Sequence, residues 1–261
     1  MTTYRIKALF WRHLMVMYRD LFRFSDIIYW PLLDIIIFGM TSTWMQQGAS
    51  IPFTFMLLTG LIFGQVISRI HLEIPYALVE EIQSKNLVNL FATPLEPAEW
   101  LLGVTALAFL KSLFTVSFGM TMVWLLYGIS IMKLGWFLIP SYINLFIAGW
   151  WMALITTSFI LTLGRQAQSL IWMFGWMLAP LCGVFYPVAI LPHSLQIVAW
   201  CLPQTYILEG MRLLVTTGEV PFSYLTASTV LNCLYATIMF FVFRTRFTKA
   251  KRSGLESLQE R

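Results

Sequence analysis

Charge is scarce in this chain. Only 11% of its 261 residues are Asp, Glu, Lys or Arg, against 59% hydrophobic and 16% aromatic, and the mean hydropathy is +0.75. A soluble domain carries roughly 25% charged and 45–50% apolar residues. The composition therefore excludes a soluble globular protein, because a 30.2 kDa core cannot bury so much apolar surface and lipid must solvate much of it. Cysteine is scarce as well: Cys182, Cys201 and Cys233 are an odd number without metal-ligand spacing, which argues against a disulfide framework or a metal centre. Missing too is any Gly-rich loop ending in Lys-Ser or Lys-Thr, the device that cradles nucleotide phosphates. No cofactor is expected on this chain, and ATP with its Mg is expected on a partner. The N-terminal segment lacks a small-residue cleavage site and is interrupted throughout by Arg5, Lys7, Arg12, Arg19 and Arg23. It does not read as a cleavable signal peptide and is expected to stay on the mature protein.

What the chain has is long apolar runs. One helical crossing takes about 20 residues, so the length allows about six, with little room for a folded soluble domain. The runs fall at 27–44, 53–70, 100–127, 136–163, 170–186 and 224–243. Before them, Ile6, Phe10, Leu14, Met17, Leu21 and Phe24 recur at helical steps, while Arg5, Arg12, Arg19 and Arg23 gather on nearly the opposite face. That pattern predicts a helix lying in the membrane interface over 1–25. Between runs five and six, Pro187, Pro192 and Pro203 prevent any single crossing helix. Two half-helices are expected there, near 192–201 and 205–214. The expected fold is an all-α membrane protein: an interfacial helix over 1–25, a six-span bundle over 27–246 and a basic tail over 247–261.

Basic residues set the orientation. The five at the N-terminus, Arg69 and Lys85 around the second loop, Arg165 and the cluster at the C-terminus fall on one side. Only Lys133 and Arg212 fall on the other. Both termini and the polar interruption over 73–99 are therefore expected on the cytoplasmic side, and the proline-broken segment outside. Because the positive charges sit at span ends rather than on one polar face, they read as topology signals and not as a nucleic-acid surface.

The interruption at 80–100 can form a short amphipathic helix with Leu87, Leu90 and Phe91 on one side, ending at Pro94 and Pro97. Such a knob suits the groove of a soluble partner, and an ordinary connecting loop fits it equally well. With its Ala92-Thr93-Pro94-Leu95-Glu96-Pro97 run before a span, the loop resembles the cytoplasmic coupling loop of type-2 permeases of ATP-binding-cassette exporters. A second stretch, Gly183-Val184-Phe185-Tyr186-Pro187-Val188-Ala189-Ile190-Leu191-Pro192 followed by Leu202-Pro203-Gln204-Thr205-Tyr206 and Glu209-Gly210-Met211-Arg212, resembles the same family's signature after the fifth span.

The resemblance covers essentially the whole chain. It implies a permease working as a homodimer with a second copy of itself, or as a pseudo-dimer, in the bacterial inner membrane, each half docked on a cytoplasmic ABC ATPase and exporting a bulky amphipathic or polymeric substrate: a polysaccharide or glycolipid, a lipid or a drug-like molecule. It assigns ATPase coupling to Glu80, Glu81, Lys85, Asn86, Leu87, Leu90 and Pro94. It assigns an outward re-entrant gate to Tyr186, Pro187, Pro192, Pro203, Glu209 and Arg212.

Asp34 and Lys111 lie inside spans, roughly 10 and 16 Å deep at 1.5 Å per residue. They can pair with each other, which would relieve the cost of an isolated charge in lipid, or contact substrate. Trp30, Trp44, Trp100 and Trp136 fall at span ends, where aromatic residues gather. Trp150, Trp151, Trp172 and Trp176 fall inside spans; packing toward lipid is the preferred reading and a sugar path the other. Two alternatives stand beside a transporter subunit. A membrane-embedded enzyme could use His71 with Glu73, or His193 with Glu209, but these pairs lack a third partner. An ion-coupled carrier should show inverted repeats with broken helices at mid-membrane, and only one peripheral broken segment is evident.

Overall fold

In lipid an unpaired backbone amide is costly, so apolar runs of this length must be helical. The computed structural model describes residues 2–19, 21–45 and 53–252, and every element among them is a helix. In chain order these are α1 (Thr2–Arg19), α2 (Leu21–Met45), α3 (Phe53–Gln83), α4 (Leu87–Ala92), α5 (Pro97–Tyr127), α6 (Leu138–Leu163), α7 (Ser169–Leu181), α8 (His193–Trp200), α9 (Pro203–Thr217) and α10 (Phe222–Arg252). Short 3₁₀ turns precede α6 and α7. The polar turn expected at 46–50 and the end of the tail beyond residue 252 lie outside the described residues.

Among the described residues five segments are long and apolar enough to cross a membrane: Ser25–Met45, Phe53–Gln83, Pro97–Tyr127, Ile131–Leu163 and Phe222–Arg252. The expected fifth run, at 170–186, is different. Its helix α7 has only 13 residues, about 20 Å at 1.5 Å per residue, against a hydrocarbon core of about 30 Å. It ends just after Pro180, where Gly183 takes a left-handed φ of 82° and turns the chain back. The second run departs the other way. The polar interruption does not begin at Glu73, since α3 continues through Pro75 to Gln83. Ile74, Leu78 and Ile82, one helical turn apart, are buried along one face, and that burial sustains the helix beyond the apolar run.

All five segments are similarly apolar, so hydropathy does not decide which sit at the centre. Small residues do, because without water between helices it is close backbone approach that gains dispersion energy. Two-thirds of the most apolar stretch of α3 and of α6 is buried (67% each), against 17% for α10. At the α3–α6 crossing a Cβ on Gly149 would lie 2.7 Å from the Ile67 carbonyl oxygen and 3.1 Å from the Ile70 Cβ. Gly149→Val is expected to pry these helices apart at about 1–3 kcal/mol, read as a lower thermal midpoint in detergent. Gly175→Ala, whose Cβ would meet nothing closer than 3.6 Å, should leave the midpoint in place; equal behaviour of the two variants would refute this account of the crossing.

Polar pairs fasten the periphery. Asn232 on α10 donates to the Asn144 backbone oxygen at 2.9 Å and to its side-chain oxygen at 3.1 Å, and accepts the Trp151 indole at 3.1 Å. Trp150 donates to Thr105 at 3.0 Å and stacks on Phe240. Trp150 and Trp151 thus serve helix packing.

Candidate functional site

Three constellations stand out. The first joins α1 to the loop between α3 and α5. Glu81, in the last turn of α3, has a side chain only 1% exposed, yet it accepts the Arg12 guanidinium at 2.6 Å and the Asn86 amide at 2.7 Å. Asn86 sits at the N-cap of α4, so one buried carboxylate ties the interfacial helix, the end of α3 and the start of α4 together. Seven residues before Arg12, and so on the same face of α1, Arg5 reaches the Pro94 carbonyl and lies 3.5 Å from Glu99. Glu99 also accepts the Glu96 backbone N–H at 3.0 Å, fixing the start of α5. Arg5 and Arg12 therefore do not turn away toward headgroups as the helical wheel suggested; they strap the loop at both ends. Beside them burial, and then the neighbouring Arg12, hold the His13 imidazole below its usual pKa.

The loop itself is inverted relative to expectation at two positions. Leu87 is fully buried and Phe91 meets Phe247 of α10 edge-on at 4.7 Å. Leu87 and Glu81 therefore cannot present side chains to a docking partner. The apolar side chains of the loop need a core, and they share one with α1, α3, α5, α6 and α10. What α4 and its flanks leave outside is Gln83, Ser84, Lys85, Asn89, Ala92, Thr93, Pro94 and Glu96, with Glu80, Asn86, Val88 and Leu90 half-buried. Lys85 holds a left-handed φ of 54°, which turns the chain from α3 into α4.

The second constellation is a cleft of about 340 Å³ between α2, α3 and α7. It runs from Asp26, Glu73, Tyr76 and Trp172 at one end to Phe38, Val184 and Phe185 at the other. The twelve helical steps of α2 from Asp26 to Phe38 make that roughly 18 Å. Asp34 and Lys111 do not pair. The Lys111 ammonium lies 2.5 Å from Glu73, a residue expected in a loop but carried into the bundle by the longer α3. Asp34 instead accepts the Gln65 amide at 2.7 Å. Arg69 bonds Asp26 twice, through the carboxylate at 2.9 Å and the backbone oxygen at 2.7 Å. Trp172 and Trp176 line the cleft and do not simply pack outward. Each of the three walls carries an interior proline, Pro31, Pro75 and Pro180, where the helix lacks a hydrogen bond and bends at least cost.

The third constellation closes the chain after α7. Glu209 accepts the Val188 backbone N–H at 2.7 Å and pairs with Arg212 at 3.0 Å, while Arg212 also donates to the Gly183 carbonyl. The turn containing Tyr186 and Pro187 is thereby bound to α9. Pro192 precedes α8 and Pro203 opens α9 at a position where a missing amide hydrogen costs nothing. Thr205 donates to the Ala199 carbonyl at 2.7 Å across the joint, and Trp200, Tyr206 and Tyr224 meet edge-to-face. Gly60 of α3 leaves room for the turn: a Cβ there would lie 2.3 Å from the Val184 oxygen.

Neither acid–base pair considered from the sequence forms. His71 faces the Ile171 carbonyl at 3.1 Å while Glu73 holds Lys111, and Glu209 is taken by Arg212. Sequence reading missed Arg5, Arg12 and Glu99 in the first constellation and Gln65, Arg69 and Asp26 in the second. The available signal was the seven-residue spacing of Arg5 and Arg12 opposite acidic residues that flank one loop.

A comparison with curated proteins found no match. The family model for the ABC-2 type transporter matches residues 4–216, a span that contains the strapped loop, the cleft and most of the α7–α9 turn. The chain therefore belongs to the ABC-2 type transporter family, whose members are membrane permease domains of ATP-binding-cassette systems.

Proposed function

We propose that this chain is the membrane subunit of an ATP-driven exporter, paired with a second copy of itself and with a cytoplasmic ABC ATPase that holds the ATP and Mg. Its place is the bacterial inner membrane, with both termini cytoplasmic, and its cargo is a bulky amphipathic or polymeric molecule. The five long helices and α7 with its flanking turns make six crossings; α8 and α9 form the outward re-entrant element.

The observation that carries this reading is the strap. A loop that merely connected two spans would need no buried carboxylate joined to two other elements. Here Lys85, Asn89, Thr93 and Pro94 stay outside for a partner to grip, while Glu81, Leu87 and Phe91 root the loop in α1, α3 and α10. A push on α4 is passed on as rigid movement, because a packed interior does not deform continuously. It reaches α3 directly and α2 through α1. Those helices are two walls of the cleft, and their prolines are where they give. Opening the cleft toward the two-fold partner makes a path that one copy alone cannot enclose.

The test is transport by the chain reconstituted with its ATPase in liposomes. Vanadate-sensitive, ATP-dependent movement of cargo is expected, with none from either component alone. Movement by the chain without its ATPase, driven by an ion gradient, would overturn the proposal.

A further inference from the structure

The cleft carries a chemical preference that the family does not specify. Its lining includes three carboxylates, Asp26, Asp34 and Glu73, and one guanidinium, Arg69. Among the described residues Arg69 is closed by Asp26 and Glu73 by Lys111, so the charge left over is that of Asp34, whose partner is the neutral Gln65 amide. A carboxyl group within a span whose hydrogen-bond partner is a neutral amide is rare and marks a binding path. Around it stand Trp30, Trp172 and Trp176, each 46% exposed or more, with Tyr76, Phe38 and Phe185. Ring faces attract cations, indole most strongly.

The same lining disfavours the other cargo chemistries. A phosphate or sulfate group would need a free cation; among the described residues the one cation of the lining, Arg69, is already neutralised at 2.9 Å, and Lys111, bound to Glu73, at 2.5 Å. A neutral sugar chain would need unspent amides, and Gln65 is turned to Asp34.

We propose that the α2–α3–α7 cleft binds a hydrophobic organic cation, with Asp34 as its counter-charge and Trp30, Trp172 and Trp176 as the faces that hold its apolar body. This rests on the permease reading, since it names the class of cargo for the same path. The carboxylate supplies the selection by sign and the tryptophans the tolerance of shape. Gln65 keeps the Asp34 carboxylate oriented into the cleft until the cation arrives.

The test compares two probes of one shape and opposite charge, tetraphenylphosphonium and tetraphenylborate, binding to the full-length chain in lipid nanodiscs, with empty discs of the same lipid as baseline. Saturable, protein-dependent quenching of tryptophan fluorescence is expected with tetraphenylphosphonium and not with tetraphenylborate. Asp34→Asn, which keeps the shape and the bond to Gln65, should weaken the cation at least about tenfold. Asp34→Glu retains the charge and should retain most of the binding, which separates loss of the counter-ion from loss of the fold. Trp172→Ala should weaken binding by a smaller factor, about threefold. Equal binding of the two probes, or an Asp34→Asn variant with unchanged affinity, would overturn the inference. A chain that shows no choice by charge but still drives vanadate-sensitive export loses this inference and keeps the permease reading; a charge-selective chain that never couples to an ATPase does the reverse.

Discussion

Glu81→Ala is expected to reduce ATP-driven transport at least tenfold while leaving the ATPase able to bind. The carboxylate is buried and accepts two bonds of 2.6 and 2.7 Å, from Arg12 on α1 and Asn86 at the head of α4. Charge-assisted bonds of this length are among the stronger kinds. Removing one partner of a buried pair costs about 3–5 kcal/mol, much of it from stranding the other; Arg12, with a side chain 41% exposed, can rehydrate, so the lower end applies. The exposed surface of α4 is untouched, and docking persists. What is lost is the rigid link between the docked loop and α1, so the ATPase turns over without moving the cleft. Pull-down of the ATPase, its hydrolysis rate and transport, measured on the same preparation, separate the three. A double cycle with Arg12→Ala should show a coupling of about 0.5–3 kcal/mol. Wild-type transport by Glu81→Ala would remove the strap from the mechanism. By the same geometry Leu87→Asp is a folding variant and not a coupling variant, because a charge would replace a fully buried side chain.

The second large effect belongs to Arg212. Arg212→Ala should lower stability by about 3–5 kcal/mol, because it strands Glu209 and leaves the Gly183 carbonyl without its donor. The stranded partner here is Glu209, whose side chain is 18% exposed against 41% for Arg12, so it rehydrates less. The turn after α7 loses one of its two ties to α9; the other, from the Val188 N–H to Glu209 at 2.7 Å, remains. Limited proteolysis should then open first at the α7–α8 connection, with a lower thermal midpoint in detergent. Arg212→Lys keeps the charge but not the planar fork that reaches two acceptors at once, so it should rescue only part of the loss. If proteolysis and the midpoint match wild type in Arg212→Ala, the turn is held by packing alone.

Much of this architecture is visible before any coordinates. Apolar runs of about 20 residues force helices by backbone hydrogen bonding alone, and five of the expected runs are long apolar helices. Prolines act locally, so Pro187, Pro192 and Pro203 marked where a crossing helix is interrupted and where α8 and α9 are short. The site residues were legible unevenly. Glu209 and Arg212 lie one helical turn apart and meet, as spacing permits. Asp34 and Lys111 were matched by depth, yet depth says nothing of which face each helix turns inward, and their partners came from Gln65 and Glu73.

What the sequence determined by itself is whatever follows from the solvent and the local chain: a lipid environment, helices throughout, the place of the breaks, and the absence of a phosphate-cradling loop. What only the tertiary structure decided is which side chains face one another across helices far apart in sequence. Arg12 and Glu81 are 69 positions apart, and Arg5 and Glu99 are 94. No periodicity encodes such pairs, because a helical wheel fixes the angle of a side chain about its own axis and not the rotation of that axis against its neighbours. That rotation is set by where backbones can approach, at Gly60 and Gly149, and by which polar groups must be satisfied once water is gone. The same freedom turned Leu87 inward and the tryptophans of α7 toward the cleft, both against the reading of the isolated helix.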